Sequence, residues 1–387
     1  MKNRTQTAIK ILGELVSFKT LSGQSNLEII SYVEGHLRDE GIPAHLSYDE
    51  TGKRANIHAY IGPSVDGGVV LNGHTDVVPA EGQAWSSDPF ILREDQGRLF
   101  GRGAVDMKGF LACMLASIPA WKAKPLKVPI HISMCYDEEI GGFGAPVLVA
   151  DMEQTPPRPA IAIVGEPTNM KIITGHKGGF EMRTTVSGFE AHASDPRKGV
   201  SAISTAVKFI SYLDKVAANL AQNAHADSAF DPPYTTINTG TIHGGTARNI
   251  IAGTCVFDWE LRPIPEDNGD ALIEKIQAYA ELELLPAMQE VYPNAKIETE
   301  MQARVPALDQ TTAQAASTLL REITNLNSTN VVAFATDAGH FCNAGISTAV
   351  FGPGSIEQAH KPDEFIEISE IEACLGLLDQ LGDRLCQ

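Results

Sequence analysis

Short apolar, β-branched runs alternate with helical stretches over the first part of the chain, and this alternation most limits how the chain can fold. Val69–Leu71, Val128–Cys135 and Ala160–Val164 read as strands, with a helix from about Gly109 between the first two. Such alternation specifies α/β layering around a largely parallel sheet, because each helix must carry the chain back across a sheet face. At Gly179 the texture changes. A strand-like stretch, Phe180–Val186, leads into a helix over Ser201–Leu220, where apolar residues recur at Ile203, Val207 and Ile210. Strands at Thr235–Thr241 and Thr254–Leu261, a helix near Asp270–Leu284 and a strand near Ala295–Met301 complete a βαββαβ order. That order is enough for a small two-layer α+β domain. The first pattern then resumes, with Val331–Phe334 and Ser347–Phe351 as strands. Residues 1–178 and 303–387 are therefore expected to form one α/β domain, with 179–302 inserted into it as a second.

Five segments bearing acids or histidine each begin where a strand has just ended. Gly73-His74-Thr75-Asp76 is the first, and Gly101 to Gly109, carrying Asp106, is the second. Tyr136 to Gly142 carries Glu138 and Glu139, Val164 to Thr168 carries Glu166, and Gly352 to Ala359 leads to His360. Taken singly, each has an ordinary reading: a loop histidine, or a solvated helix start. Open α/β sheets, however, bind ligands beyond the carboxyl ends of their strands, so segments distant in sequence can converge on one crevice. The crevice would hold two histidines and several carboxylates, with no thiolate. That donor set suits zinc or a similar first-row ion, cobalt included. Carboxylates packed so closely repel one another unless cations neutralise them, and two divalent ions sharing one carboxylate would do so.

Composition excludes more than it selects. The net charge of −18, from 30 Lys and Arg against 48 Asp and Glu, argues against a nucleic-acid or anionic-membrane partner, since both require a basic face. The N-terminal stretch reads as an amphipathic helix and not as a signal peptide, and no segment has the apolar length of a membrane span. Six dispersed cysteines without a CxxC pair are expected to be reduced thiols, which places the chain in the cytoplasm.

The five segments, in order, spacing and local sequence, resemble the M20 metallopeptidase family, and the similarity runs from the first helix to near the C-terminus. The resemblance implies a zinc-dependent exopeptidase-like catalytic domain (1–178 and 303–387) and an inserted lid, 179–302, that also forms a homodimer interface. It implies that His74 and Glu166 bind one metal ion, Glu139 and His360 the other, and that Asp106 bridges both. Asp76 would hydrogen-bond the His74 imidazole, Glu138 would be the general base, and the Asp106–Met107 peptide would be cis. In the lid, His192 matches a histidine that reaches a neighbouring subunit's site, while Arg262 and Asn249 match residues that bind the substrate carboxylate. The ordinary reading of Arg262 is a surface salt bridge on a strand.

The substrate implied is an acylated amino acid. GPGSIEQAHKPDEF and HTDVVPAEGQAWSSDPF resemble the branch that deacetylates N2-acetyl-L-ornithine in arginine biosynthesis. The alternatives are a succinyl-diaminopimelate desuccinylase, a dipeptidase or carboxypeptidase on the same metals, or a non-catalytic binding relative. Ala335-Thr336-Asp337-Ala338-Gly339-His340 departs from the Gly-Thr-Glu-Ala-Gly form of the family, near the expected pocket. Ser201 stands where asparagine is common and should cap the following helix equally well. His36, His45, His58 and His225 are expected to be solvated and His131 packed within a strand. His176, His243 and His340 are left open.

Overall fold

The computed structural model describes residues 2–387. The chain divides into two compact units, residues 1–176 with 308–387, and residues 177–307. The second crossing lies at 307, a few residues beyond 302, because the last strand of the inserted unit, Lys296–Val305, continues to Val305.

The first unit is built on an eight-stranded sheet. Its order is Ala44–Tyr48, Ala55–Ile61, Ile130–Cys135, Val69–His74, Ile161–Val164, Ser347–Val350, Ile173–His176 and Asn330–Val332. The four middle strands, from Ile130–Cys135 to Ser347–Val350, run parallel. Ala44–Tyr48 and Ala55–Ile61 join antiparallel at one side, and Ile173–His176 meets Ser347–Val350 antiparallel at the other. The sheet is thus mixed: parallel in the middle, where crossover helices connect the strands, and antiparallel towards both flanks.

Every residue of Val69–His74 and Ile130–Cys135 is buried, as expected of strands covered on both faces. Alternation divides them. Val69 and Leu71 pack into a core with the helices Lys2–Ser17, Gly109–Lys122 and Ile368–Arg384, whereas Val70 faces Gly144–Gln154 and Ala338–Asn343. Gly109–Lys122, the helix behind the second motif, is apolar on nearly all sides and buries eleven of its residues, Gly109 to Ile118 and Trp121. A separate three-stranded antiparallel sheet, Arg93–Asp95, Arg98–Phe100 and Phe365–Glu367, stands beside the main one.

The inserted unit is one antiparallel sheet, ordered Thr236–Gly244, Thr254–Arg262, Gly179–Ser187, Lys296–Val305, with the helices Ala202–Gln222 and Gly269–Tyr279 on one face. Ser201 Oγ accepts the Ser204 amide at 3.2 Å and Asn268 Oδ1 accepts that of Ala271 at 3.0 Å, which caps both helices. The buried stripe of Ala202–Gln222 is Ala202, Thr205, Ala206, Phe209, Leu213 and Val216. Ile203 and Val207, expected on that stripe, are 37% and 51% exposed, as is Ile242 at 46% on the edge strand Thr236–Gly244. Phe209 packs edge-on against Phe257 and so fixes the helix rotation one position away from the face that the isoleucines suggest.

All six cysteines are free, five of them buried. Among the described residues, no helix is long and apolar enough to cross a membrane. His58 is not solvated. It lies on a strand covered on both sides, 4% exposed, with Nε2 3.0 Å from His131 Nδ1 and the rings stacked. Burial and the neighbouring imidazole lower His58 to about 3, and burial lowers His131 to about 4. Both stay neutral in the fold but take up protons near pH 6.5 once unfolded. Folding stability should therefore fall as pH drops from 6.5 towards 3, by on the order of a few kcal/mol for the pair. Urea denaturation between pH 7.5 and 4.5 measures this, and His58→Leu/His131→Phe should flatten the acid limb. An unchanged slope in that variant would assign the acid lability elsewhere.

Candidate metal centre

Each of the five segments lies at or just beyond the end of a strand, and four of those strands belong to the middle of the main sheet. The exception is Gly101–Gly109, which leaves Arg98–Phe100 of the small sheet and enters Gly109–Lys122. Two glycines let the loops close up. A Cβ on Gly165 would lie 2.0 Å from the Phe110 ring, and one on Gly352 would lie 2.1 Å from the Gly165 carbonyl. Only bare backbone brings the Glu166 loop and the loop leading to His360 this close to each other and to the Asp106 helix. The Asp106–Met107 peptide is cis.

The result is a compact cluster. His74, at the last position of its strand, has Nε2 3.0 Å from Asp106 Oδ1 and 3.7 Å from Glu166 Oε1. The other Asp106 oxygen, Oδ2, lies 3.2 Å from His360 Nε2, which is also 2.9 Å from Glu139 Oε2. Asp106 therefore offers one oxygen to each histidine. Donor atoms of His74, Asp106 and Glu139 lie within 4.8 Å of one another, as do those of His74, Glu138 and Glu166. Around a tetrahedral ion with bonds of about 2.0–2.2 Å, donors sit roughly 3.3–3.6 Å apart, comparable with the 2.9–3.7 Å separations here.

Charge points the same way. Burial, and then the Glu166 carboxylate, push Glu138 well above the usual range; burial and Asp106 do the same to Glu166 and raise Glu139. The Asp106 bond holds His74 well above 6.5 against the opposing effect of burial, and bonds to Asp106 and Glu139 raise His360 to about 10. The cluster without cations thus gathers protons to offset four crowded carboxylates: Asp106, Glu138, Glu139 and Glu166. Two dications carry the matching formal charge and would replace those protons.

Asp76 meets the His74 imidazole, and does so through its main chain. The His74 Nδ1 bond goes to its main-chain carbonyl at 2.9 Å, with the carboxylate 3.6 Å away. The carboxylate instead accepts the amides of Glu138 (3.1 Å) and Glu139 (3.3 Å) and the Ser22 hydroxyl (2.7 Å). One residue so orients the imidazole and fixes the turn bearing both glutamates, a combination that orders first ligands.

The remaining site residues lie in the inserted unit. His192 is exposed, its Nδ1 2.7 Å from Ser194 Oγ, and it bridges Ile250 beside Asn249, whose carbonyl accepts the Ala193 amide at 3.0 Å. Arg262, at the far end of Thr254–Arg262, is held by Glu260 at 2.7 and 2.9 Å. The structure brings His192 and Asn249 together and sets Arg262 apart from them.

Sequence reasoning missed Asp337. It is 1% exposed, its Oδ1 has no hydrogen-bond partner among the described residues, and burial raises it to about 6. Its charge acts on both Glu138 and Glu166. Its place in the segment that departs from the family form was the available signal. His176 ends a buried strand, His243 is exposed on the edge strand, and His340 lies on the short helix Ala338–Asn343.

Comparison with known proteins shows the family of the chain. Residues 70–383 match peptidase family M20/M25/M40. Acetylornithine deacetylase of Shigella sonnei is 32% identical over 393 residues, covering 100% of both chains. Among solved structures, a tripeptidase from Staphylococcus aureus superposes with a TM-score of 0.73 at 20% identity, covering 99% of this chain and 98% of its own. A dinuclear metal-binding peptidase of the M20 family from Bacillus subtilis gives 0.67 at 16% identity, covering 99% and 98%.

Proposed function

The chain belongs to peptidase family M20/M25/M40 and is a metal-dependent hydrolase, and from that premise we propose that it hydrolyses the amide bond of an N-acyl amino acid, N2-acetyl-L-ornithine, to L-ornithine and acetate. Asp106, with one oxygen towards His74 and the other towards His360, carries the chemistry of this reading. End-to-end similarity to acetylornithine deacetylase supports the substrate.

His74 and Glu166 would hold one divalent ion, Glu139 and His360 the second, and Asp106 both. Zinc suits these donors and cobalt would be accepted. When bound, the ions supply Lewis acidity, polarising the scissile carbonyl and lowering the pKa of water towards about 7. Glu138, beside the ligands, takes the proton from the attacking water and delivers it to the departing amine. Asp76 keeps the Glu138–Glu139 turn and the His74 ring in register. Arg262 exchanges Glu260 for the substrate α-carboxylate, a planar partner that its guanidinium can hold with two bonds. Asn249 and His192 of a second copy would reach the same substrate, His192 donating to the developing oxyanion. We place a homodimer interface on the inserted unit. The exposed Ile203, Val207 and Ile242, with the unpaired edge of Thr236–Gly244, support that placement.

The test is an assay of acetylornithine, succinyl-diaminopimelate and simple dipeptides, with metal stoichiometry measured on the same preparation. Acetylornithine should be turned over fastest, a chelator should abolish turnover, and zinc or cobalt should restore it. Faster turnover of another substrate would reassign the specificity. A preparation carrying two metals that binds these compounds without hydrolysing them would overturn the enzymatic reading.

A further inference from the structure

Arg102 and Glu364 form an ion pair with both side chains 1% exposed, Nη1 to Oε2 at 2.6 Å. Burying two charges costs more than their attraction returns unless the other polar atoms are engaged as well. Arg102 Nε has no hydrogen-bond partner among the described residues, and the partners of the other atoms are informative. Glu364 Oε1 accepts the amides of Val105 at 3.0 Å and Asp106 at 3.3 Å. Arg102 Nη2 donates to Gln83 Oε1 at 2.5 Å and to the Pro79 carbonyl at 3.4 Å, with the guanidinium 5.1 Å from the Trp85 ring centre. Gln83 Nε2 in turn donates to the main-chain carbonyl of His360 at 2.8 Å.

That carbonyl belongs to a residue with φ of 62°, in the left-handed region that residues with side chains enter at a cost. Asp363, at φ 54°, is held from the same loop as Gln83, by the Ser86 amide at 3.0 Å and hydroxyl at 2.8 Å. A continuous polar chain thus runs from the Asp106 amide through Glu364, Arg102 and Gln83 to the His360 carbonyl. We infer that Glu364, Arg102 and Gln83 are positioning residues that set the spacing of Asp106 and His360, and with it the affinity for the ion these two would share.

The inference rests on the ligand assignment proposed above, and zinc binding separates the two. The full-length chain, stripped of metal, is titrated with Zn2+ against a chromogenic chelator, and thermal unfolding of the metal-free protein is followed alongside. Gln83→Ala should weaken one ion by about 10- to 100-fold and leave the other unchanged. Glu364→Gln, which disturbs the residue shared by both ions, should weaken both.

Gln83→Glu is the decisive variant, because it keeps a partner for Arg102 but cannot donate to the His360 carbonyl. It should bind zinc as poorly as Gln83→Ala. If Gln83→Glu binds zinc like the unmodified chain, or if the substitutions lower only the melting temperature, the network is a structural ion pair and the inference fails. If Glu364→Gln does not fold, the two Gln83 variants decide alone. An unmodified chain that fails to take up two ions would overturn the ligand assignment itself.

Discussion

Glu138→Gln should lower kcat on acetylornithine by about 100- to 10,000-fold, the range expected when a positioned general base is removed. Both metal ions should stay bound. Glu138 lies beside the ligands, within 4.8 Å of His74 and Glu166, and its backbone is fixed through its amide by Asp76. The amide side chain has the same shape, so the turn and the neighbouring Glu139 should keep their places. KM should change little, because the substrate's contacts are assigned to the inserted unit and the polarised carbonyl, neither of which depends on this carboxylate. A loss of the whole effect into KM would identify Glu138 as a binding group. Loss of a metal ion together with the rate would make it a ligand. Full activity would remove it from the reaction.

The five chemistry-bearing segments were legible in the sequence because each is local. A glycine-flanked turn directly after an apolar strand places its side chain at the strand's carboxyl end whatever the rest of the chain does. His74 and Glu166 follow this rule. The Asp106 segment was recognisable too, yet it leaves a small separate sheet, and its approach to the cluster depends on Gly165 and Gly352 elsewhere.

What escaped depended on partners remote in sequence. The spacing of His74 and Asp76 cannot say whether carbonyl or carboxylate meets the imidazole. Ser22 and the Glu138–Glu139 amides decide it by claiming the carboxylate. His58 stands between Ile57 and Ala59 but near polar Asn56 and Tyr60, and only its strand's inner position in the sheet, beside Ile130–Cys135, buries it. The helix Ala202–Gln222 carries apolar residues on more than one face, so its rotation waited on Phe257. The Arg102–Glu364 pair spans 262 residues, and neither partner marks the other.

His192→Ala should lower kcat by about 100- to 1,000-fold, the loss typical of removing one donor from an oxyanion site, with two metals still bound. Its position supports action on a neighbouring subunit. His192 and Asn249 are adjacent near the Thr254 end of Thr254–Arg262, and Arg262 lies at the other end, a nine-residue strand away. At a rise of about 3.3 Å per residue that is roughly 26 Å, too far for one acylated amino acid to touch both within a single copy. Two copies joined through this unit could present opposite ends of the strand to the same substrate. Subunit mixing tests this directly. His192→Ala supplies an intact Glu138 and Glu138→Gln an intact His192, so a mixed dimer regains one complete site. An equal mixture, dissociated and reassociated at random, makes half its molecules mixed and should recover about a quarter of the unmodified activity. If each variant is inactive alone and the mixture remains so although mixed dimers are shown to form, His192 serves the site of its own chain. Should His192→Ala alone retain full kcat, the residue takes no part in the reaction, and the oxyanion donor must be sought elsewhere.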